Sequence, residues 1–244
     1  NVKLFLDKDM TAQIGGLIVA KRPVFIAEPG IGVAYKTIMV DFPWFGGFAR
    51  VQKEKCVKSL HDAYRGEHRG QKVLEISNYS SESLGVALSA FNLAIRNGKG
   101  KNFTVECIFQ SSKIFADGGP YKDLLYCSSK EAKKDIRLKT SGQLKSFALN
   151  NQLFPLEPKT FFYNWVYINT LVKNERLALE ILDYDAFTDI AFNPNASCNC
   201  QAAAVAAYVS LFKSQKLSQA LASPESFLQI VYGGKMCQEQ SLFS

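Results

Sequence analysis

Only two histidines occur among the 244 residues, His61 and His68, both in a stretch rich in Arg, Glu and Gly. A histidine-based catalytic triad and a histidine-based metal centre are therefore nearly excluded, and both side chains are expected at the surface. The six cysteines, Cys56, Cys107, Cys127, Cys198, Cys200 and Cys237, form no CxxC pair. Neither a zinc knuckle nor a dithiol redox motif is present, and the expectation is free, mostly buried thiols in a reducing cytoplasm. No apolar run reaches the eighteen or so residues that a bilayer demands. The first residues mix Lys3, Asp7, Lys8 and Asp9 with apolar positions and do not open on a basic-then-apolar leader. With histidine so scarce, any catalysis falls to carboxylates, amides and main-chain donors.

What is present is ordinary globular composition, 47% apolar and 21% charged, enough to bury a full core. The length fits one domain with an elaborated N-terminal part, or two small ones. The net charge of +7 suits an anionic partner. Its Lys and Arg are densest at residues 52–58, 65–72, 96–101 and 130–145, a spread that solubility alone also explains.

Residues 1–20 carry little pattern and read as an extension, partly extended or disordered. Residues 22–48 read as β structure, with a turn at Glu28-Pro29-Gly30 and an aromatic loop at Trp44-Phe45-Gly46-Gly47-Phe48. That loop is either a lid on the core or a stacking surface for a base. Residues 49–64 predict a helix with Val51, Val57, Leu60 and Ala63 on one side. The polar stretch 66–70 is the best internal boundary, dividing a β/α part at 21–70 from a domain at 71–244. Residues 72–77 predict a strand and residues 83–97 a helix capped by Ser80 or Ser81. Ser128 and Glu131 have capping-box spacing. Further helices are expected at 158–173, 175–182 and 224–231, with an alanine-rich, tightly packed one at 200–212.

The stretch 102–123, NFTVECIFQSSKIFADGGPYKD, carries the most information. Read as one helix, it places Val105, Ile108, Phe109 and Ile114 or Phe115 on an apolar stripe. Glu106, Gln110, Lys113 and Asp117 then share a polar face, with Glu106 and Lys113 about 10 Å apart along the axis. That separation suits a carboxylate at a sugar and an ammonium at its pyrophosphate. The helix would stop at Gly118-Gly119-Pro120, freeing backbone donors in a ligand-facing turn. An amphipathic surface helix with a solvated charged face is the plainer reading of the same residues.

This segment resembles the NADAR (YbiA-like) family, whose members share a Glu, an aromatic, a Gln and a Lys in the order of Glu106, Phe109, Gln110 and Lys113. The resemblance continues through GGPYKDLL, SSKEAKKDIRLKTSG, PLEPKTFFYNWVYINTL and AFTDIAFNPNASCNCQAAAVAAYVSL. It is closer to the antitoxins of that family that accompany DarT-type toxins. It implies an α+β fold, a mainly helical core behind a β-containing N-terminal part. It also implies an N-glycosidase that removes ADP-ribose from guanine in DNA, releasing ADP-ribose, with no cofactor and a DarT-type toxin as partner. A YbiA-type glycosidase of riboflavin-pathway intermediates and a non-catalytic ADP-ribose or toxin binder are the alternatives.

By the same resemblance Glu106 is the catalytic carboxylate and Asp189 a second one, against plainer readings as a helix-surface Glu and a turn-capping Asp. Gln110, Lys113, Lys133 and Arg137 are candidates for the ligand's polar groups and phosphates. Gly118, Gly119 and Tyr121 would add main-chain donors and an aromatic face. Asn199, with Gln201, would bond a ribose or cap a helix. Two departures stand out. The antitoxin relatives carry a Glu where Ala191 stands in Thr188-Asp189-Ile190-Ala191-Phe192-Asn193-Pro194, which removes a carboxylate from the presumed site loop. The YbiA branch also has a site Trp; here Trp165 falls at another offset, and Phe154 is the candidate for that place.

Overall fold

The chain was analysed as a computed structural model that describes residues 11–14, 17–28, 35–47, 49–195 and 197–233. Pro29, Gly30, Val33, Phe48, Cys237 and residues 1–10 lie outside them, and with them parts of the expected N-terminal extension, turn and aromatic loop.

The N-terminal strands are β1 (Thr11–Ile14), β2 (Leu17–Ile26) and β3 (Lys36–Pro43). They lead into α1 (Arg50–Glu67) and β4 (Val73–Glu75). The helix expected at 83–97 shrinks to α2 (Ser83–Ala87), whose N-cap is Glu82 and not a serine side chain. Beyond it the chain turns into β5 (Ala94–Arg96), which pairs with β6 (Asn102–Thr104).

The expected long site helix is likewise cut short. α3 (Val105–Ser111) ends before Lys113, and β7 (Lys113–Phe115) follows. The apolar residues at 114 and 115 fit helical spacing, but a strand partner takes them. That partner, β8 (Leu144–Leu149), follows α4 (Ser129–Lys134) and α5 (Arg137–Thr140). β9 (Gln152–Phe154) completes this small antiparallel sheet. The capping box at Ser128 and Glu131 is formed at the start of α4. Next come α6 (Phe161–Val172), α7 (Glu175–Glu180), β10 (Ala186–Thr188), α8 (Gln201–Lys213), α9 (Leu217–Ala220) and α10 (Pro224–Tyr232). Of these, α6, α7, α8 and α10 lie close to the expected helices, and β10 and α9 were not expected.

The fold is α+β. Its larger sheet runs β1-β2-β10-β4, with β3 on β2, and so joins strands from both sides of residues 66–70. All its pairings are antiparallel except β10 with β4. Strand alternation divides the residues between two cores. Val73, Ala186, Val24 and Val40 face Cys56, Val57, Leu60 and Tyr64 of α1. Leu74, Phe187 and Phe25 face the main core, in which α8 is buried from Ala202 to Leu211 beside α6. Its run of alanines lets the helix lie close against β10 and α6.

Two expectations about side chains fail here. Val51 is exposed, and the buried face of α1 is carried by Cys56, Val57, Leu60, His61 and Tyr64. His61 is buried, because the face it shares with Leu60 and Tyr64 packs on the sheet.

Candidate active site

A cavity of about 740 Å³ opens at the C-terminal ends of the parallel strands β4 and β10, where Ser77 and Asp189 follow the strands into its wall. Crevices beyond the carboxyl ends of parallel strands are the usual ligand sites of such sheets. The volume lies within the range typical of small-molecule sites, roughly 300–1,000 Å³.

α3 supplies the first wall. Thr104 caps this helix by accepting from the Cys107 amide, and the Glu106 amide donates to the Ala90 carbonyl at 3.0 Å. The helix is buried from Val105 to Ser111, so Glu106 is a buried carboxylate and not a surface one. Gln110 Nε2 donates to Glu106 Oε1 at 2.8 Å, which leaves Oε2 to a ligand or water. Gln110 Oε1 is buried without a partner, an acceptor awaiting a donor.

Lys113 stands one residue past the helix's C-cap, with Nζ 4.8 Å from the centre of the Phe109 ring. Burial lowers the proton affinity of its ammonium; Glu106 opposes that shift and Lys133 adds to it. The three groups thus act on one another inside the cavity, although one helix does not carry them. Beneath them an aromatic floor forms as Phe109 packs on Phe147 and edge-on against Tyr163, 5.3 Å between centroids. Lys133, on α4, reaches the rim over Phe91.

The opposite wall follows β10. Asp189 is buried, accepts from the Ala191 amide at 3.0 Å, and is hydrogen-bonded by the Gln201 side chain. Gln201 Oε1 in turn accepts from the Ala90 amide at 2.7 Å, so one residue, Ala90, ties both carboxylate-bearing elements together. Burial, and then the neighbouring Glu75, raise the Asp189 carboxyl above the usual range. Tyr163 feels both Glu106 and Asp189, and burial keeps its hydroxyl neutral. Asn199 lines the cavity with a buried, unpartnered Oδ1, and Ala191 lines it as well. Among the described residues no group of three His, Cys, Asp or Glu side chains is gathered to hold a metal.

Over residues 20–241 the chain matches the family described as DarT1-associated NADAR antitoxin. The chain belongs to that family. No curated protein matches it. Membership makes it an antitoxin beside a DarT1-type toxin. No helix among its described residues is long and apolar enough to cross a membrane.

In the antitoxin the cavity brings together Glu106, Gln110, Lys113, Lys133, Asp189 and Asn199. It does not gather Gly118, Gly119, Tyr121 or Arg137. Gly118 O accepts from the Phe115 amide, and a Cβ on Gly119 would meet the Lys113 carbonyl at 2.3 Å, so the glycines permit a tight backbone approach. Arg137 is bound to Asp123 and Asp135 and stacked over Tyr121. Trp165 and Phe154 pack on each other away from the cavity, and neither takes the place of a site Trp. Asp189 directly follows β10, and its carboxylate caps the turn that comes next by accepting from the Ala191 amide, while it also lines the cavity.

Sequence reasoning overlooked Glu75. Its oxygens receive Ser77 Oγ at 2.6 Å, Thr188 Oγ1 at 2.6 Å and the Ile190 amide at 2.8 Å. A Glu between Val73-Leu74 and Ile76 in an expected strand was the available signal, since an unpaired carboxylate there is costly.

Proposed function

We propose that the antitoxin is an N-glycohydrolase that removes ADP-ribose from ADP-ribosylated guanine in DNA, undoing the toxin's modification. The observation that carries this reading is the buried Glu106, one oxygen engaged by Gln110 and the other free, in a cavity that also holds Lys113.

Cleavage of the bond between ribose C1″ and a base nitrogen builds positive charge at C1″ and the ring oxygen. A carboxylate buried in the cavity wall counters that charge and accepts the proton of an attacking water. Lys113 and Lys133 supply positive charge for the pyrophosphate, and the unpartnered oxygens of Gln110 and Asn199 suit donors such as ribose hydroxyls. The floor of Phe109 and Phe147 offers apolar surface to the sugar or base.

A second reading has one observation behind it. Ala191 lines the cavity where the family resemblance implies a carboxylate, which suits a protein that binds ADP-ribose without releasing it. The two readings part on turnover. With ADP-ribosylated guanine oligonucleotide in large excess, a glycohydrolase frees many equivalents of ADP-ribose and a binder retains about one. Glu106→Gln keeps the shape and loses the charge. It is expected to slow release by about a hundredfold or more while leaving binding close to that of the unmodified protein. Near-normal single-turnover rates in the variant would remove Glu106 from the mechanism.

A further inference from the structure

We infer that Glu75, behind the cavity wall, is the positioning residue of Asp189: it clamps the backbone on both sides of Asp189 and makes Asp189 the carboxyl that holds a proton for the departing base. This assignment rests on the glycohydrolase reading and adds the source of the leaving group's proton.

The clamp is built by strand register. Thr188 lies opposite Glu75 in the parallel pair, and the Ile76 amide donates to the Thr188 carbonyl at 2.8 Å. Glu75 then takes the Thr188 hydroxyl on Oε2 and the Ile190 amide on Oε1, so the residues before and after Asp189 are both fixed by one side chain. The Thr188 proton is spent on Glu75. Its oxygen must therefore accept from His61 Nε2, 2.8 Å away, which makes His61 the Nε2–H tautomer. Donors thus run from His61 through Thr188 to Glu75, with Ser77 adding another. Burial raises the Glu75 carboxyl, and the bonds from Ser77, Thr188 and the Ile190 amide oppose that shift and favour the anion.

Asp189 is buried beside that anion, and two adjacent buried carboxylates do not ionise together cheaply. The other described groups that act on it most strongly carry no full positive charge. Tyr163 and Tyr167 of α6 and Cys200, the N-cap of α8, are neutral, raised mainly by burial and further by Asp189. Gln201 and the amides of Ala191 and Phe192 are dipoles only. Burial holds His61 neutral, with Arg65 adding to the effect and Asp62 opposing it. The proton therefore resides on Asp189, which also faces the cavity.

In the reaction, the C1″–N bond breaks and its electron pair stays on the base nitrogen, which takes the Asp189 proton. Water adds its oxygen to C1″ and gives a proton to Glu106. Exchange with solvent returns one proton from Glu106 to Asp189, leaving free ADP-ribose and an unmodified base.

The test reads protonation apart from activity. An Asp whose folded proton affinity exceeds its unfolded one loses stability as pH rises from about 4 through the folded value. Asp189→Asn removes that loss. Its melting temperature relative to the unmodified protein is expected to be lowest near pH 4 and to climb toward neutral pH. Glu75→Gln should shrink that climb, and should move the alkaline limb of kcat/KM down by about a pH unit or more with KM little changed. Carboxyl NMR of the unmodified protein needs no variant to fold. It should show Asp189 protonated and Glu75 ionised near neutral pH, with the two titration curves inflecting together. An ionised Asp189, or an Asn variant whose relative stability ignores pH, overturns the inference. Hydrolysis alongside an ionised Asp189 defeats this inference alone. A protonated Asp189 without any hydrolysis defeats the glycohydrolase reading, and the use of the proton with it.

Discussion

Ala191 shows how one side chain reweights a site. Its amide donates to Asp189 Oδ1 at 3.0 Å and the residue lines the cavity, so the side chain at this position bears on the ligand space. Ala191→Glu would set a third carboxylate beside Asp189 and Glu106, able to orient water but repelling the pyrophosphate. Turnover on ADP-ribosylated guanine DNA is expected to rise and ADP-ribose affinity to fall, both measured at one salt concentration because DNA binding varies with ionic strength. An unchanged rate in an already fast protein would mean that a carboxylate at 191 adds nothing. Residue identity was legible at this scale wherever chemistry is local. Glu106, Gln110 and Lys113 are close in sequence and share the cavity. Glu75 and Thr188 were not legible together, because their meeting depends on a strand pairing across most of the chain.

Elements explain why spacing misled around the site. Residues 105–117 satisfy a helical stripe, yet Ser112 turns the chain and Lys113 to Phe115 pair with β8. A local pattern cannot register a partner strand thirty residues away. The same blindness lengthened the helix expected at 83–97, where β5 finds β6. The start of α3 was readable, and its cap does more than begin a helix. Ser129 Oγ donates to the Phe91 carbonyl, so Thr104 Oγ1 donates to Ser129 while accepting from Cys107. The cap therefore links the Glu106 helix to α4 and to the Phe91 segment on which Lys133 rests. Thr104→Ala is expected to cost about 1 kcal/mol in urea unfolding and to raise KM. Thr104→Ser, which keeps the hydroxyl, should restore both. A loss of stability with KM untouched would show that the link to α4 does not reach the site.

At the scale of the whole molecule, the larger sheet is where the N-terminal strands, β4 and the C-terminal strand β10 meet, and α1 seals one of its faces. His61 sits in that seal, which is why its surface placement failed and why acid should open the fold. Burial lowers its pKa to about 4, with Arg65 adding to the effect. An unfolded histidine titrates near 6.5. The unfolded chain thus takes up a proton that the folded one refuses. Stability is intact above about pH 6.5, falls as pH drops below it, and stops falling from this cause once the folded value near 4 is passed. The full difference amounts to about 3 kcal/mol. His61→Gln keeps a donor toward Thr188 but cannot be protonated, so its urea midpoint should change much less between pH 6.5 and 4 than that of the unmodified protein. Asp189 and Glu75, raised by burial, bend stability the other way, and the comparison between the two proteins cancels their share. Parallel acid curves for the two proteins would mean that His61 is solvated in solution and that α1 does not close over Thr188.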